Sequence, residues 1–248
     1  MATSETSADP IKVSIVVPAF NEASRIGESV RKIEEFLKRV PWSAEIVIVD
    51  DGSTDKTAAI VSEARIPGLR LLRSETNHGK GHAVRAGVLD ARGDYVIFSD
   101  ADLSAPIEEL QKLLTAAETQ SADVVIGSRA VDRSFIEKHQ SRGREVGGII
   151  FNRIVRIVLG LKIHDTQCGF KMFRRQKIRP IFEKMTIEGF GFDPELLFLS
   201  SKAGLKILEI PVRWSHAEGS KIRFMRDSVR MFTDLLQIRW NHLTGKYS

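Results

Sequence analysis

Short runs of Val and Ile alternate with segments of helical period through the first half of the chain. Residues 13–17 (VSIVV), 45–49 (EIVIV), 69–72 (LRLL), 95–98 (YVIF) and 123–127 (DVVIG) predict five strands. Between the first two, residues 22–40 put Ile26, Val30, Ile33 and Leu37 on one helical face. Further helices are predicted over 54–64, from the 79–81 glycines through Leu89, and onward from Pro106. Near-continuous apolar strands, each followed by a helix, describe an α/β chain: a mainly parallel, Rossmann-like sheet with both faces covered. Ligands of such sheets bind beyond the carboxyl ends of the strands. The polar residues collect there: Asn21 and Glu22, Asp50 and Asp51, Asn77, Asp100 and Asp102, Ser128 and Arg129. Five strand ends are predicted to converge on one crevice.

The rhythm changes after residue 130. Residues 131–145 are charged and rich in turn formers, which predicts a mobile loop. Residues 146–161 form an apolar helical segment whose Asn152, Arg153 and Arg156 share one narrow face. A glycine-containing stretch at 165–193, a strand over 206–211 and a terminal helix complete the chain. From 222 to 243, Ile222, Met225, Val229, Phe232, Leu236, Trp240 and Leu243 project to one side of a helix, with Arg223, Arg226 and Arg230 opposite. A basic amphipathic helix of this kind can lie in the headgroup plane of a membrane. Packing on the domain is the other use of such a stripe. Residues 1–10 are expected to be a disordered tail, neither signal peptide nor anchor. The main domain is expected over 11–221, with an amphipathic helix and tail over 222–248. The longest stretch without a charge is nine residues, 13–21. A spanning helix needs roughly 20, so no span is predicted, and any membrane contact would be peripheral.

At 248 residues the chain can bury a core without staples. Its single cysteine, Cys168, excludes an intramolecular disulfide and a cysteine-based zinc site, and suits a reducing compartment. The net charge of +5 favours anionic partners. Zinc-finger spacing, aromatic RNA-binding motifs and long basic tracts are all missing, so nucleic acid is not expected. Phosphorylated substrates and an acidic membrane surface remain.

Asp100 and Asp102 place two carboxylates one residue apart where a strand leaves the sheet. Magnesium is typically held by one or two carboxylates together with substrate phosphates; the alternative is that one of the pair caps the next helix. Asp50 or Asp51 can accept from a nucleobase imide or ribose hydroxyl, while Ser53 and Thr54 read as helix caps. Lys80, between two glycines at a helix start, can approach phosphates or be a solvated loop residue. Gly79 to Val84 imitates a dinucleotide fingerprint, but Val84 stands where the third glycine belongs, and the segment follows the third strand rather than the first.

VVPAFNE at 16–22, VDDGSTD at 49–55, NHGKGHA at 77–83 and Asp100-Ala-Asp102 resemble the successive motifs of glycosyltransferase family 2. GSR at 127–129, DTQCGFK at 165–171, FGFDPE at 190–195 and GSK at 219–221 are similar to one branch, the dolichyl-phosphate β-glucosyltransferases. The similarity runs over roughly 12–240. It implies a GT-A fold, a UDP-sugar donor, inversion at the anomeric carbon, and Mg²⁺ or Mn²⁺. Pro18, Phe20 and Glu22 would then line the nucleotide pocket, Asp51 or Asp50 would contact uracil, Asp102 would be the principal metal ligand with Asp100 beside it, and Arg129 would face phosphate charge. A counterpart to the N-terminal membrane anchor of eukaryotic members is not expected in residues 1–10, which leaves the mode of membrane attachment open.

The implied reaction is transfer of glucose from UDP-glucose to a dolichyl or polyprenyl phosphate at the cytosolic membrane face. A lipid monophosphate is already anionic and needs cations rather than a base. Arg129, Lys171, Arg174 and Lys221 are candidates, with Arg142 and Arg144 in the expected mobile loop. A hydroxyl acceptor would need a carboxylate base, for which Asp165, Asp193 and Glu195 are available; Asp165 could equally orient Lys171 or cap a backbone. Other readings are a GDP-mannose donor, a glycan hydroxyl acceptor, a nucleotidyltransferase or a non-catalytic nucleotide-binding or scaffold protein. The nucleotidyltransferase predicts a glycine- and arginine-rich loop after the first strand, where this chain has PAFNEAS at 18–24.

Overall fold

The computed structural model describes residues 10–138, 142–216 and 224–247; at 142, 144 and 224–228 only the helical backbone is described. Four β/α units and a fifth strand open the chain. They are β1 (Val13–Ala19) and α1 (Ile26–Leu37), β2 (Ala44–Asp51) and α2 (Thr57–Glu63), β3 (Leu69–Ser74) and α3 (Lys80–Asp90), β4 (Tyr95–Ser99) and α4 (Leu110–Thr119), then β5 (Val124–Ser128). Each strand lies within a residue or two of its sequence-based position. Beyond it come β6 (Ile136–Lys138), α5 (Arg142–Leu159), β7 (Phe170–Arg174), α6 (Arg175–Lys184), α7 (Phe192–Lys202), β8 (Ile207–Pro211), β9 (Trp214–Ser215) and α8 (Phe224–Leu243).

The main sheet has the order β3-β2-β1-β4-β7-β5-β8. All neighbours are parallel except β7, which runs antiparallel between β4 and β5. The predicted parallel sheet is therefore correct in outline and misses one inserted strand. Alternate residues of the central strands face opposite layers. Val16, Val47, Val49 and Phe98 pack with Val84, Val88, Phe182, Phe192 and Leu196 on one side. Ile15, Val17, Ile46 and Ile48 pack with Ile26, Val30, Ile33, Leu110 and Leu113 on the other. This double burial explains why the strands read as unbroken apolar runs.

The region 131–145 is not simply a loop: Ile136 and Lys138 pair with Trp214 and Ser215, and α5 begins at Arg142. Ser53 and Thr54 do not cap α2. The Asp55 carboxylate accepts from the Thr57 backbone N–H at 2.9 Å, and the two candidate caps bond to Asn21. The terminal helix turns Asp234, Leu235, Ile238 and Asn241 inward. Its predicted apolar stripe faces out: Val229, Phe232, Leu236, Trp240 and Leu243 are exposed, Trp240 to 68%. Ile222 and Arg223 lie outside the described residues, as do the side chains of Met225 and Arg226. No described helix is long and apolar enough to cross a membrane.

Candidate active site

The carboxyl ends of β1, β2, β4 and β5 come together through side chains that bind neighbouring loops. Asn21, at φ 53°, occupies the left-handed region that Asn tolerates better than most residues. Its Oδ1 accepts from the Thr54 N–H at 2.8 Å, and its own N–H donates to Ser53 Oγ at 2.8 Å. The Glu22 N–H donates to Thr57 Oγ1 at 2.7 Å. These bonds lock the end of β1 and its following loop, which carry the half-buried Pro18, Phe20 and Glu22, onto the loop after β2. Nothing in the residue types alone announced the organising role of Asn21; its position one residue before Glu22 was the only signal.

Asp50 and Asp51 are both buried. Asp50 accepts from the Ser53 N–H at 3.2 Å and lies 3.4 Å from Arg73 Nε. Asp51 accepts from Asn77 Nδ2 at 2.9 Å, the His78 N–H at 3.1 Å and the Gly79 N–H at 2.7 Å. It thus shapes the turn that opens α3. Gly52, at φ 72°, permits the close approach, since a Cβ there would strike the Thr76 backbone.

Lys80 is not a solvated loop residue. It begins α3 and reaches Asp100 Oδ1 at 2.6 Å. Burial opposes its charge, but Asp100 and Asp193 outweigh that and hold its pKa above the ordinary lysine value. Asp100 is further fixed by its backbone N–H, which donates to Gly169 O at 3.1 Å. Ser29 Oγ donates to Ala101 O at 2.6 Å and ties the same turn to α1. Asp102 is partly exposed. Its Oδ1 accepts from the Ser104 N–H at 2.9 Å, and its Oδ2 lies 3.9 Å from Arg25 Nη1. Asp102 does not cap the next helix, since neither the turn at Ile107–Glu109 nor α4 takes a side-chain cap: one oxygen orders the local turn, and the other is engaged only at long range. That is a donor set suited to a hard divalent cation, one open carboxylate with a second, lysine-paired one beside it.

On the far side, Arg129 directly follows β5 and forms a two-pronged ion pair with Asp165. Burial works against both charges; each nevertheless holds the other ionised, with Asp165 brought down to about 2 and Arg129 raised above its already high value. Asp165 therefore orients Arg129, not Lys171. Lys171 is fully buried, donating to Asp193 at 2.5 Å and to Cys168 O at 2.7 Å, and cannot meet an acceptor. Burial lifts Asp193 above the ordinary carboxylate range despite that lysine. Arg174 pairs in register with Tyr95, at the opposite end of the central strands from the site, and lies over its ring. Glu195 is buried, accepting from the Thr186 and Ile187 N–H groups and from the Tyr247 hydroxyl. None of Asp165, Asp193 and Glu195 is available as a base. Burial pushes the Cys168 thiol up to about 12, which removes it as a nucleophile. Lys221 lies outside the described residues, as do the side chains of Arg142 and Arg144.

A cavity of about 290 Å³ opens beside Arg129, lined by Arg133, Arg153, Arg156, Asn152 and Trp214 among others. The narrow polar face of α5 is one wall of this cavity. Arg133 is paired with Glu145. Arg153 and Arg156 have no carboxylate partner among the described residues.

A mainly parallel, Rossmann-like sheet flanked by helices, with the carboxylate pair Asp100 and Asp102 where β4 leaves it, is the architecture of a GT-A glycosyltransferase. The chain belongs to glycosyl transferase family 2, whose pattern matches residues 14–182. Among its relatives are the dolichyl-phosphate beta-glucosyltransferases of Saccharomyces cerevisiae, 38% identical, and Dictyostelium discoideum, 35% identical. Each alignment covers 96% of this chain, with 77% of the yeast protein and 76% of the Dictyostelium protein. Glucosyl-3-phosphoglycerate synthase from Mycobacterium tuberculosis, solved with Mn²⁺, UDP and glucosyl-3-phosphoglycerate, shares the fold. Its TM-score is 0.69 at 20% identity, over 92% of this chain and 80% of that one.

Proposed function

We propose that this glycosyltransferase moves glucose from UDP-glucose to a dolichyl or related polyprenyl phosphate, with inversion, while bound peripherally to the cytosolic face of a membrane. The observation that carries the reading is the arginine-lined cavity beside Arg129, roofed by α5. That helix exposes Val146, Ile149, Ile150 and Ile157. An anionic headgroup would enter among Arg129, Arg153 and Arg156, and its hydrocarbon chain would leave along apolar surface. The relatives named for dolichyl phosphate support the same acceptor.

Pro18, Phe20 and Glu22 would line the nucleotide pocket. Asp51 has three donors on two carboxylate oxygens, leaving acceptor capacity for one imide N–H. Asp102, supported by Asp100, would hold Mg²⁺ or Mn²⁺, which supplies positive charge to the departing diphosphate. Lys80, at a helix start beside Asp100, adds a fixed cation on the same side. An acceptor phosphate oxygen attacks the anomeric carbon as the bond to the UDP oxygen breaks, with inversion. No proton has to be removed from such a nucleophile, in keeping with the three engaged carboxylates. A hydroxyl acceptor would require a base, and Asp165, Asp193 and Glu195 are each engaged elsewhere.

The test is incubation of purified protein with labelled UDP-glucose or GDP-mannose, Mn²⁺ and polyprenyl phosphate. A labelled glucosyl lipid extractable into chloroform is expected from UDP-glucose alone. Absence of any labelled lipid would remove the lipid-phosphate reading, and product from GDP-mannose would change the donor.

A further inference from the structure

We propose that His78, His82 and Glu188 form a second metal site, one that takes a transition-metal dication such as Zn²⁺ and shares no ligand with the Asp100–Asp102 pair. One ligand atom from each of the three side chains lies within 4.8 Å of the other two. The imidazoles stack with centroids 4.4 Å apart and planes 27° from parallel. His82 Nδ1 is 3.8 Å from Glu188 Oε1. A tetrahedral ion bound at ~2.0–2.2 Å separates its ligand atoms by about 3.3 Å, so small rotations of these accessible side chains close the site.

The surroundings hold the ligands near that geometry. His78 Nε2 lies 3.3 Å from Thr76 Oγ1, which leaves Nδ1 for an ion and fixes the ring as an outer partner of a metal-bound histidine does. The His82 backbone N–H donates to Glu188 O at 3.1 Å, joining the two segments before any ion arrives. Gly79, at φ 122°, lets them touch, because a Cβ there would strike the Glu188 carbonyl. Two imidazoles and one carboxylate favour zinc, copper or nickel over magnesium, whereas Asp100 and Asp102 offer hard oxygens alone. Three protein ligands leave the fourth position to water.

Such an ion would pin the turn that opens α3 to the 186–191 segment. The first carries Lys80, which holds Asp100; the second runs into α7, which carries Asp193. Occupancy would therefore restrain the cationic side of the sugar-transfer site without replacing its metal.

Chelator-treated full-length protein, kept in excess Mg²⁺, is titrated with Zn²⁺ by calorimetry and by thermal melting. One equivalent of Zn²⁺ with a rise in melting temperature is expected, retained in D102N and weakened at least about tenfold in H82Q and in E188Q. Glu188 is exposed, so E188Q tests the site even where a histidine variant folds poorly. Zinc binding that disappears in D102N, or that E188Q leaves unchanged, would overturn the proposal, as would no binding to the wild type.

Discussion

The Arg129 guanidinium meets the Asp165 carboxylate through two hydrogen bonds, Nε to Oδ2 at 2.7 Å and Nη2 to Oδ1 at 2.8 Å, while the Arg129 backbone N–H donates to the same Oδ2 at 2.9 Å. The guanidinium also lies 5.3 Å from the Trp214 ring centroid. Three restraints therefore aim one cation at the cavity. Arginine suits this position because its planar fork matches a carboxylate while stacking on an aromatic face. R129K keeps the charge and loses the fork. Acceptor KM is expected to rise by roughly one to two orders of magnitude, consistent with loss of a bidentate contact, with donor KM little changed. Equal effects on both substrates in steady-state kinetics would place Arg129 outside the acceptor site.

The same pair sets a dependence on acidity. Asp165 titrates near 3.8 in the unfolded chain and about 2 in the folded one. A depressed carboxylate stabilises the fold above its unfolded pKa, and that contribution is lost as pH falls through the folded pKa. D165N should cost about 3 kcal/mol near neutral pH, as removal of one partner from a buried pair does. The gap in melting temperature between D165N and wild type should then narrow as pH falls from about 5 towards 2. A gap that stays constant over that window would show that Asp165 is not the titrating group.

Asp102 and Asp100 are predicted to differ, although they are one residue apart. Asp102 has an oxygen engaged only at 3.9 Å, whereas Asp100 is held by Lys80 at 2.6 Å. D102N should lower kcat by roughly 10²–10³, the scale of losing one stabilising group for developing charge, with little change in stability. D100N should cost less in kcat and should also leave Lys80 without its near carboxylate. Measuring rate against Mn²⁺ concentration for both variants checks the order, and a larger kcat defect in D100N would reverse the assignment.

The β/α order and the five strand ends were readable because double-faced burial writes itself as unbroken Val and Ile runs. β7 was not. FKMFR is short and contains Lys171, whose burial becomes tolerable only through Asp193, 22 residues away. Local pattern cannot supply such a partner. For Lys171, Arg174 and Glu195 the reason is the same: charge and spacing are visible in the sequence, the direction of the side chain is not. The stripe on α8 was correctly seen, but the helix is apolar on two sides, and periodicity alone does not say which side meets the core.

That outward stripe leads to a membrane prediction. Phe232, Leu236 and Trp240 are 43%, 52% and 68% exposed on a helix anchored from behind by Leu235 and Ile238. Replacing all three with Glu removes apolar surface without opening the core. Binding to anionic lipid vesicles in a flotation assay should fall by at least tenfold, since each side chain fully buried in lipid is worth about 1.5–3 kcal/mol. Stability should move by only about 0.5 kcal/mol per site. Unchanged flotation would mean that the stripe meets something other than lipid.

Gly169 connects the two halves of the site, and its replacement tests whether they work together. Its carbonyl accepts from the Asp100 N–H at 3.1 Å, and a Cβ built on it would overlap the Asp100 carboxylate. The residue therefore holds the loop that carries Asp165 against the turn that carries Asp102. G169A adds one methyl group in a place with no room for it, at a stability cost of about 1–3 kcal/mol. The carboxylate has to swing away, which weakens its contact with Lys80 and disturbs its support of Asp102. The Mn²⁺ concentration for half-maximal rate should rise about tenfold, the lower end of what a displaced supporting contact costs a metal site. A protein that had merely lost stability would recover normal metal dependence when assayed well below its melting temperature. A normal Mn²⁺ response in folded G169A would therefore show that Asp100 is not needed to support the ion.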